Sequence, residues 1–121
     1  MGVVHHANYL AFFEMGRVEA LRQIGVEYAS VVRRGLHLVV VDATVRYRQP
    51  AFFDDLLLVF TYATDLGGAR FTFVYDVRRE KDGALIASGQ TVHACVDAKT
   101  LRPVRLPDWL RADLVRLCRS T

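Results

Sequence analysis

Cysteine is scarce in this chain: Cys95 and Cys118 are the only two among 121 residues. Two thiols so far apart form neither a disulfide framework nor a zinc knuckle, and they read as reduced cysteines of a cytoplasmic protein. Serine is limited to Ser30, Ser88 and Ser120. None sits on a strand-to-helix elbow and no G-x-S-x-G occurs, which excludes the common serine nucleophile. Lysine is limited to Lys81 and Lys99, so the basic side chains are mostly arginine. They are scattered, with pairs only at Arg33–Arg34 and Arg78–Arg79, whereas nucleic-acid binders concentrate their bases in a stripe. No run approaches the roughly 18 apolar residues of a membrane span. The start MGVVHHANYLAFFEMGR lacks the basic segment and small-residue cleavage site of a signal peptide. Glycine-rich phosphate loops are missing too. The four histidines, His5, His6, His37 and His93, come without a carboxylate cluster or H-E-x-x-H spacing, which argues against a metal. No cofactor is expected.

What remains is an ordinary globular composition. Hydrophobic residues make up 52%, charged residues 24%, and the net charge is +3. Such a length and balance fit one domain over residues 1–121 with a core of its own. Residues 8–24 predict a helix, with Asn8 as N-cap and Gly25 just past the end. Its first two turns are apolar nearly all round, so that half is expected inside the protein. Residues 27–34 predict a short helix closed by Gly35. From Leu38 the period becomes two, with Val39, Val41, Ala43, Val45 and Tyr47 on one face. Further strands are expected over 56–64, 70–78 and 85–96. Phe71, Phe73, Tyr75 and Val77 face inward on the third strand, and Gly89 marks a bulge or a close backbone approach. Asp108 is placed as the cap of a last helix over 109–119. No helices separate the strands, so the fold class is α+β: an antiparallel sheet around a central helix, not a doubly wound parallel sheet.

The densest chemistry is Gly2-Val3-Val4-His5-His6-Ala7-Asn8-Tyr9, which runs straight into that helix. A helix start offers free N–H groups backed by the helix dipole, and these can polarise a carbonyl or hold an oxyanion. On its own, a histidine near a helix start is more often a satisfied buried side chain.

The segment GVVHHANYLAFFEMGRVEALRQIG resembles the start of the hotdog-fold acyl-CoA thioesterases of the 4-hydroxybenzoyl-CoA thioesterase type. Their usual form is D-x-D-x-x-G-[VI]-V-[YW]-H-A-x-Y followed by an aromatic-rich helix. The similarity continues at Val45–Asp55, at Gly89–Asp97 and at Arg102–Pro107. It implies a hotdog fold, with a long helix wrapped by an antiparallel sheet. It also implies homodimers or tetramers joined at sheet edges, a site at the subunit interface, and acyl-CoA as substrate.

By this resemblance the His6 backbone N–H points at the thioester oxygen and the His6 side chain orients substrate or water. Gly2 admits the acyl or pantetheine chain close to the backbone, with Val4, His5 and Tyr9 beside it. Asn8 caps the helix, and His5 stands where the family more often has tyrosine. The family's catalytic carboxylate lies three residues before the glycine, a position that falls before Met1, and the first strand that carries it is expected to be missing. Glu14 is the nearby carboxylate that remains, although the family commonly has an acid at this place beside its N-terminal Asp, where it is a structural or supporting partner. Three arrangements follow: an upstream strand carrying the acid, which the intact remainder of the motif favours; an inactive module that binds acyl-CoA or acyl carrier protein; or catalysis through Glu14. Arg48, Arg70, Arg78 and Arg79 are candidates for the CoA phosphates, against the alternative of solvated strand faces. Phe12, Phe13 and Phe53 are candidates for an acyl tunnel, against the alternative of core.

Overall fold

The computed structural model describes residues 7–52 and 54–118, with Ala7 and Asn8 described by backbone alone. The first element is helix α1 (Ala7–Gln23). It ends in two hydrogen bonds, from Gly25 N–H to the Arg22 carbonyl and from Val26 N–H to the Leu21 carbonyl. Gly25 has φ +87°, the left-handed conformation this helix-closing pattern requires. Helix α2 (Tyr28–Arg33) follows, closed by Gly35.

Four strands come next: β1 (Leu36–Tyr47), β2 (Leu57–Thr64), β3 (Arg70–Arg79) and β4 (Leu85–Asp97). They form one antiparallel sheet in the order β1-β4-β3-β2. Helix α3 (Asp108–Val115) closes the chain, and Ala63 of β2 pairs with Cys118 beyond it. Phe71, Phe73, Tyr75 and Val77 are buried as their alternation predicts.

Helix α1 lies across the sheet through Tyr9, Phe13 and Leu21, all buried. Phe13 stacks on Tyr75 with centroids 4.4 Å apart. Gly89 makes the close approach possible. A Cβ there would sit 2.6 Å from the Phe13 ring and run into the Thr44 carbonyl. The strand pairing continues unbroken through Gly89, so close approach, not a bulge, explains it. Gly16 has the same role against β2, where a Cβ would meet Val59 at 2.7 Å.

Four expectations are corrected. Helix α1 is not enclosed on all sides: Leu10 is 48% and Met15 67% exposed, because the sheet covers one face only. The bulge lies in β1, where Val40 pairs with His93 and Asp42 with Val92, leaving Val41 as the extra residue. One extra residue switches the faces. Leu38 therefore points inward before the bulge and Val45 after it, while Val39 and Val41 are exposed. Asn8 is the second residue of α1 and does not precede it. Pro107 is the N-cap of α3, and Asp108 lies in its first turn.

Candidate active site

Helix α1 opens with backbone N–H groups that have no acceptor inside the helix. Its first turn carries no acidic residue, so no carboxylate of its own offsets the positive end of the dipole. That end is anchored to β1. The Tyr9 ring meets Tyr47 at 5.5 Å and Phe12 at 5.7 Å, both edge-on. Burial and the neighbouring Tyr47 hold the Tyr9 hydroxyl protonated to higher pH than usual. The helix start is thus fixed against the C-terminal end of an edge strand whose Tyr47 remains exposed.

Gly2, Val4, His5 and His6 lie outside the described residues, as does Phe53. Glu14 is exposed. It shares an outward stripe with Leu10 and Val18, four residues away on either side. The aromatic candidates divide. Phe13 is core, whereas Phe12 lines a groove of about 520 Å³ between α1 and β2. That groove runs from Phe12 to Ile24, away from the helix start, and its walls include Met15, Gly16 and Val59.

The arginine candidates divide as well. Arg79 is committed to the fold. It pairs with Asp55 at 3.3 Å and with Asp82 at 3.1 Å across the β3–β4 turn. Asp55 also accepts the Phe52 N–H, and this bond with the Arg79 and Lys81 charges holds its carboxyl below the usual range. Arg78 donates to the Gly83 carbonyl at 3.0 Å. Arg48 and Arg70 are exposed.

A polar chain crosses the core that sequence reasoning missed. Arg17 Nη1 donates to the Tyr75 hydroxyl at 3.4 Å. Tyr75 Oη lies 2.6 Å from Thr91 Oγ1, and Thr91 Oγ1 lies 2.7 Å from His93 Nε2. Thr91 and His93 are both buried, two residues apart on one face of β4. Their alternation was the available signal, since two polar inward positions on a central strand require partners. Burial, with the Arg17 charge adding to it, pulls the His93 pKa down to about 4. The imidazole is therefore neutral at neutral pH.

Residues 1–114 match the family described as the thioesterase-like superfamily. An acyl-CoA thioesterase of Haemophilus influenzae is 33% identical over 112 residues, spanning 92% of this chain and 81% of its own. The crystal structure of a hypothetical protein from Thermus thermophilus superimposes with a TM-score of 0.86 at 36% identity, covering 97% of this chain and 88% of that one. A DHNA-CoA thioesterase from Staphylococcus aureus superimposes with a TM-score of 0.85 at 29% identity, covering 96% and 79%. The helix lying on an antiparallel sheet is the hotdog arrangement that these proteins share. On the family match, and on relatives spanning most of both chains, the chain belongs to the thioesterase-like superfamily.

Proposed function

We propose that the chain hydrolyses acyl-CoA thioesters to a free acid and CoA, with the carbonyl held at the start of α1. The observation that carries the reading is the family match over residues 1–114, a range that includes Gly2–Tyr9 and helix α1. In the attack of water on the thioester, negative charge develops on the carbonyl oxygen. N–H groups at the helix start, that of His6 first, stabilise it, and one such donor contributes about 100-fold to 1,000-fold in rate. The His6 side chain orients water or substrate, while Gly2, Val4, His5 and Tyr9 border the chain that enters. We assign Glu14 to the activation of water. Its Cα is roughly 10 Å along the axis from Ala7, and helical side chains lean back toward the N-terminus.

The protein works in the cytoplasm as a dimer or tetramer. Strand β1 supports this: it is an edge strand with Val39, Val40, Val41 and Tyr47 exposed, the kind of edge that pairs with a second chain. Pairing there brings a neighbouring subunit beside Tyr9 and the helix start.

The test is thiol release from a panel of benzoyl-, hexanoyl- and DHNA-CoA. Release from at least one ester is expected. Glu14→Gln is expected to lower kcat about 100-fold, in the usual range for a general base. A loss below tenfold removes Glu14 from the machinery. His6→Ala reports on the side chain alone, because the backbone N–H remains. CoA binding without thiol release from any ester would leave a binding module. Arg79→Ala is expected to lower the Tm while leaving CoA affinity unchanged, since its guanidinium already serves Asp55 and Asp82.

A further inference from the structure

One corner of the sheet gathers cations that no carboxylate of the fold engages. Strand β1 begins beside the end of β4: Leu36 pairs with Asp97, and the Ala98 N–H donates to the Gly35 carbonyl at 2.8 Å. The chain leaving β4 stays there, since the Asp97 N–H donates to the Arg102 carbonyl at 2.9 Å. Arg34, Lys99 and Arg102 thus share this corner, and all three are exposed. Arg34 lies over the Trp109 ring at 4.3 Å, which positions its guanidinium without neutralising it. At the other end of β1 stand Arg46 and Arg48, also exposed. The acids on these elements are Glu27, Asp42, Asp97 and Asp108. Among the described residues none of them forms an ion pair with these cations. The Asp97 carboxylate accepts the Lys99 and Thr100 N–H groups instead.

Within one protomer the two groups of cations lie apart by the length of β1, whose 12 residues span roughly 35 Å. An antiparallel contact of β1 with a second β1 brings them together. Such a contact is two-fold, with the same patch on both sides. Val39, Val40 and Val41 are the exposed apolar run of this edge, and they meet their own copies when the axis passes at Val40. Leu36 then lies across from the partner subunit's Thr44. The Arg34–Lys99–Arg102 corner comes beside the partner subunit's Arg46 and Arg48. It also comes beside the partner subunit's Tyr47, the residue that anchors the start of α1.

Like charges set face to face oppose the contact. A ligand with several negative charges reverses that effect, and arginine suits phosphate oxygens in particular. CoA carries a diphosphate and a phosphomonoester at the end remote from its sulfur. We infer that these phosphates bind between two subunits, on Arg34, Lys99 and Arg102 of one and on Arg46 and Arg48 of the partner subunit, so that CoA tightens the dimer. The inference rests on the thioester site and the β1 contact proposed above. Binding and association are linked, and the factor by which CoA tightens the dimer is the factor by which dimerisation tightens CoA.

Sedimentation of a dilution series reads the dimer dissociation constant of the whole chain. It is measured without ligand, with CoA, with dephospho-CoA (which lacks the phosphomonoester) and with pantetheine, which has no phosphate. Where dilution leaves no monomer, the rate of subunit exchange between two fluorescently labelled pools replaces it. CoA is expected to tighten the dimer, or slow exchange, at least tenfold. Pantetheine should change either by less than twofold, with dephospho-CoA in between. Lys99→Gln with Arg102→Gln removes one side of the site, and Arg46→Gln with Arg48→Gln removes the other. Each double variant should bind CoA at least tenfold more weakly by calorimetry, yet form a tighter dimer without ligand, because repulsion is relieved. Mixed in equal amounts, the two should regain wild-type affinity at one site per mixed dimer, since one corner of that dimer keeps all of its cations.

Association unchanged by CoA would overturn the inference, and so would an equal effect of pantetheine. A mixture that regains no affinity would also overturn it, by placing the phosphates within a single protomer. If a double variant fails to fold by circular dichroism, the ligand series on the wild-type chain decides alone. CoA has no ester to cleave, so these readings stand apart from thiol release. CoA-linked association without thiol release from any ester would remove the hydrolase reading alone, and thiol release without CoA-linked association would remove this inference alone.

Discussion

Phe13→Ala is expected to remove about 3–5 kcal/mol of stability, the usual range for a large aromatic side chain deleted from a core. Phe13 is fully buried and stacks on Tyr75 with the rings 4° from parallel. Its other face lies on Gly89, where no side chain can move in to refill the space. The cavity therefore stays open, and the loss belongs at the upper end of the range. Chemical denaturation at constant pH measures it. Phe13→Leu should cost less, because most of the volume is kept. A loss below about 1.5 kcal/mol for the alanine variant would mean that α1 is not held on the sheet through this contact.

The same contact bears on catalysis. Phe13 sets how deep α1 sits on the sheet, and the position of α1 sets where its opening N–H groups point. Under the thioesterase reading, Phe13→Leu should lower kcat more than it changes KM, because the oxyanion contact is made in the transition state.

Much of this architecture was legible in the sequence because it follows from local rules. The 70–78 strand places Phe71, Phe73, Tyr75 and Val77 on one face, and all four are buried, whereas Val74 on the other face is half-buried. Gly25 and Gly35 follow helical stretches and take positive φ, as helix ends of this kind require. Strand β1 was read in the wrong phase because a bulge at Val41 has no sequence signature: Leu38, Val39, Val40 and Val41 are all apolar, so the run gives no phase before Asp42. The early α1 turns, apolar nearly all round, were read as enclosed, but the sheet covers one face only. Leu10 and Met15 face away from the protomer's own sheet. Motif similarity points to Gly2–Tyr9 as the candidate site, and of these the described residues begin at Ala7. Of the Arg17–Tyr75–Thr91–His93 chain only the Thr91–His93 alternation was legible, because the chain joins three elements whose packing depends on Gly89 and Gly16.

That buried chain gives the second large effect, which is carried by pH. His93 titrates near 6.5 when the chain is unfolded and at about 4 when folded. Between those values the unfolded state binds more protons, so stability rises with pH. The contribution is fully present above pH 6.5 and is lost as the pH falls through about 4. The whole shift corresponds to about 3 kcal/mol, of which about 2 kcal/mol is gone by pH 5. The groups around the ring explain the direction. Phe71 stacks on it at 5.3 Å and Phe73 meets it edge-on at 5.3 Å, while the Arg17 charge opposes protonation and the Leu38 backbone alone favours it. Carboxylates held below their usual range, Asp55, Asp82 and Asp97, act in a different window, since their stabilisation is lost below about pH 4. Denaturation curves at pH 5 and pH 7.5 for the wild-type chain and His93→Gln isolate the term. The wild-type chain should lose about 2 kcal/mol more than the variant between those two conditions. Equal losses would mean that the imidazole accepts its second proton as readily in the fold as in water.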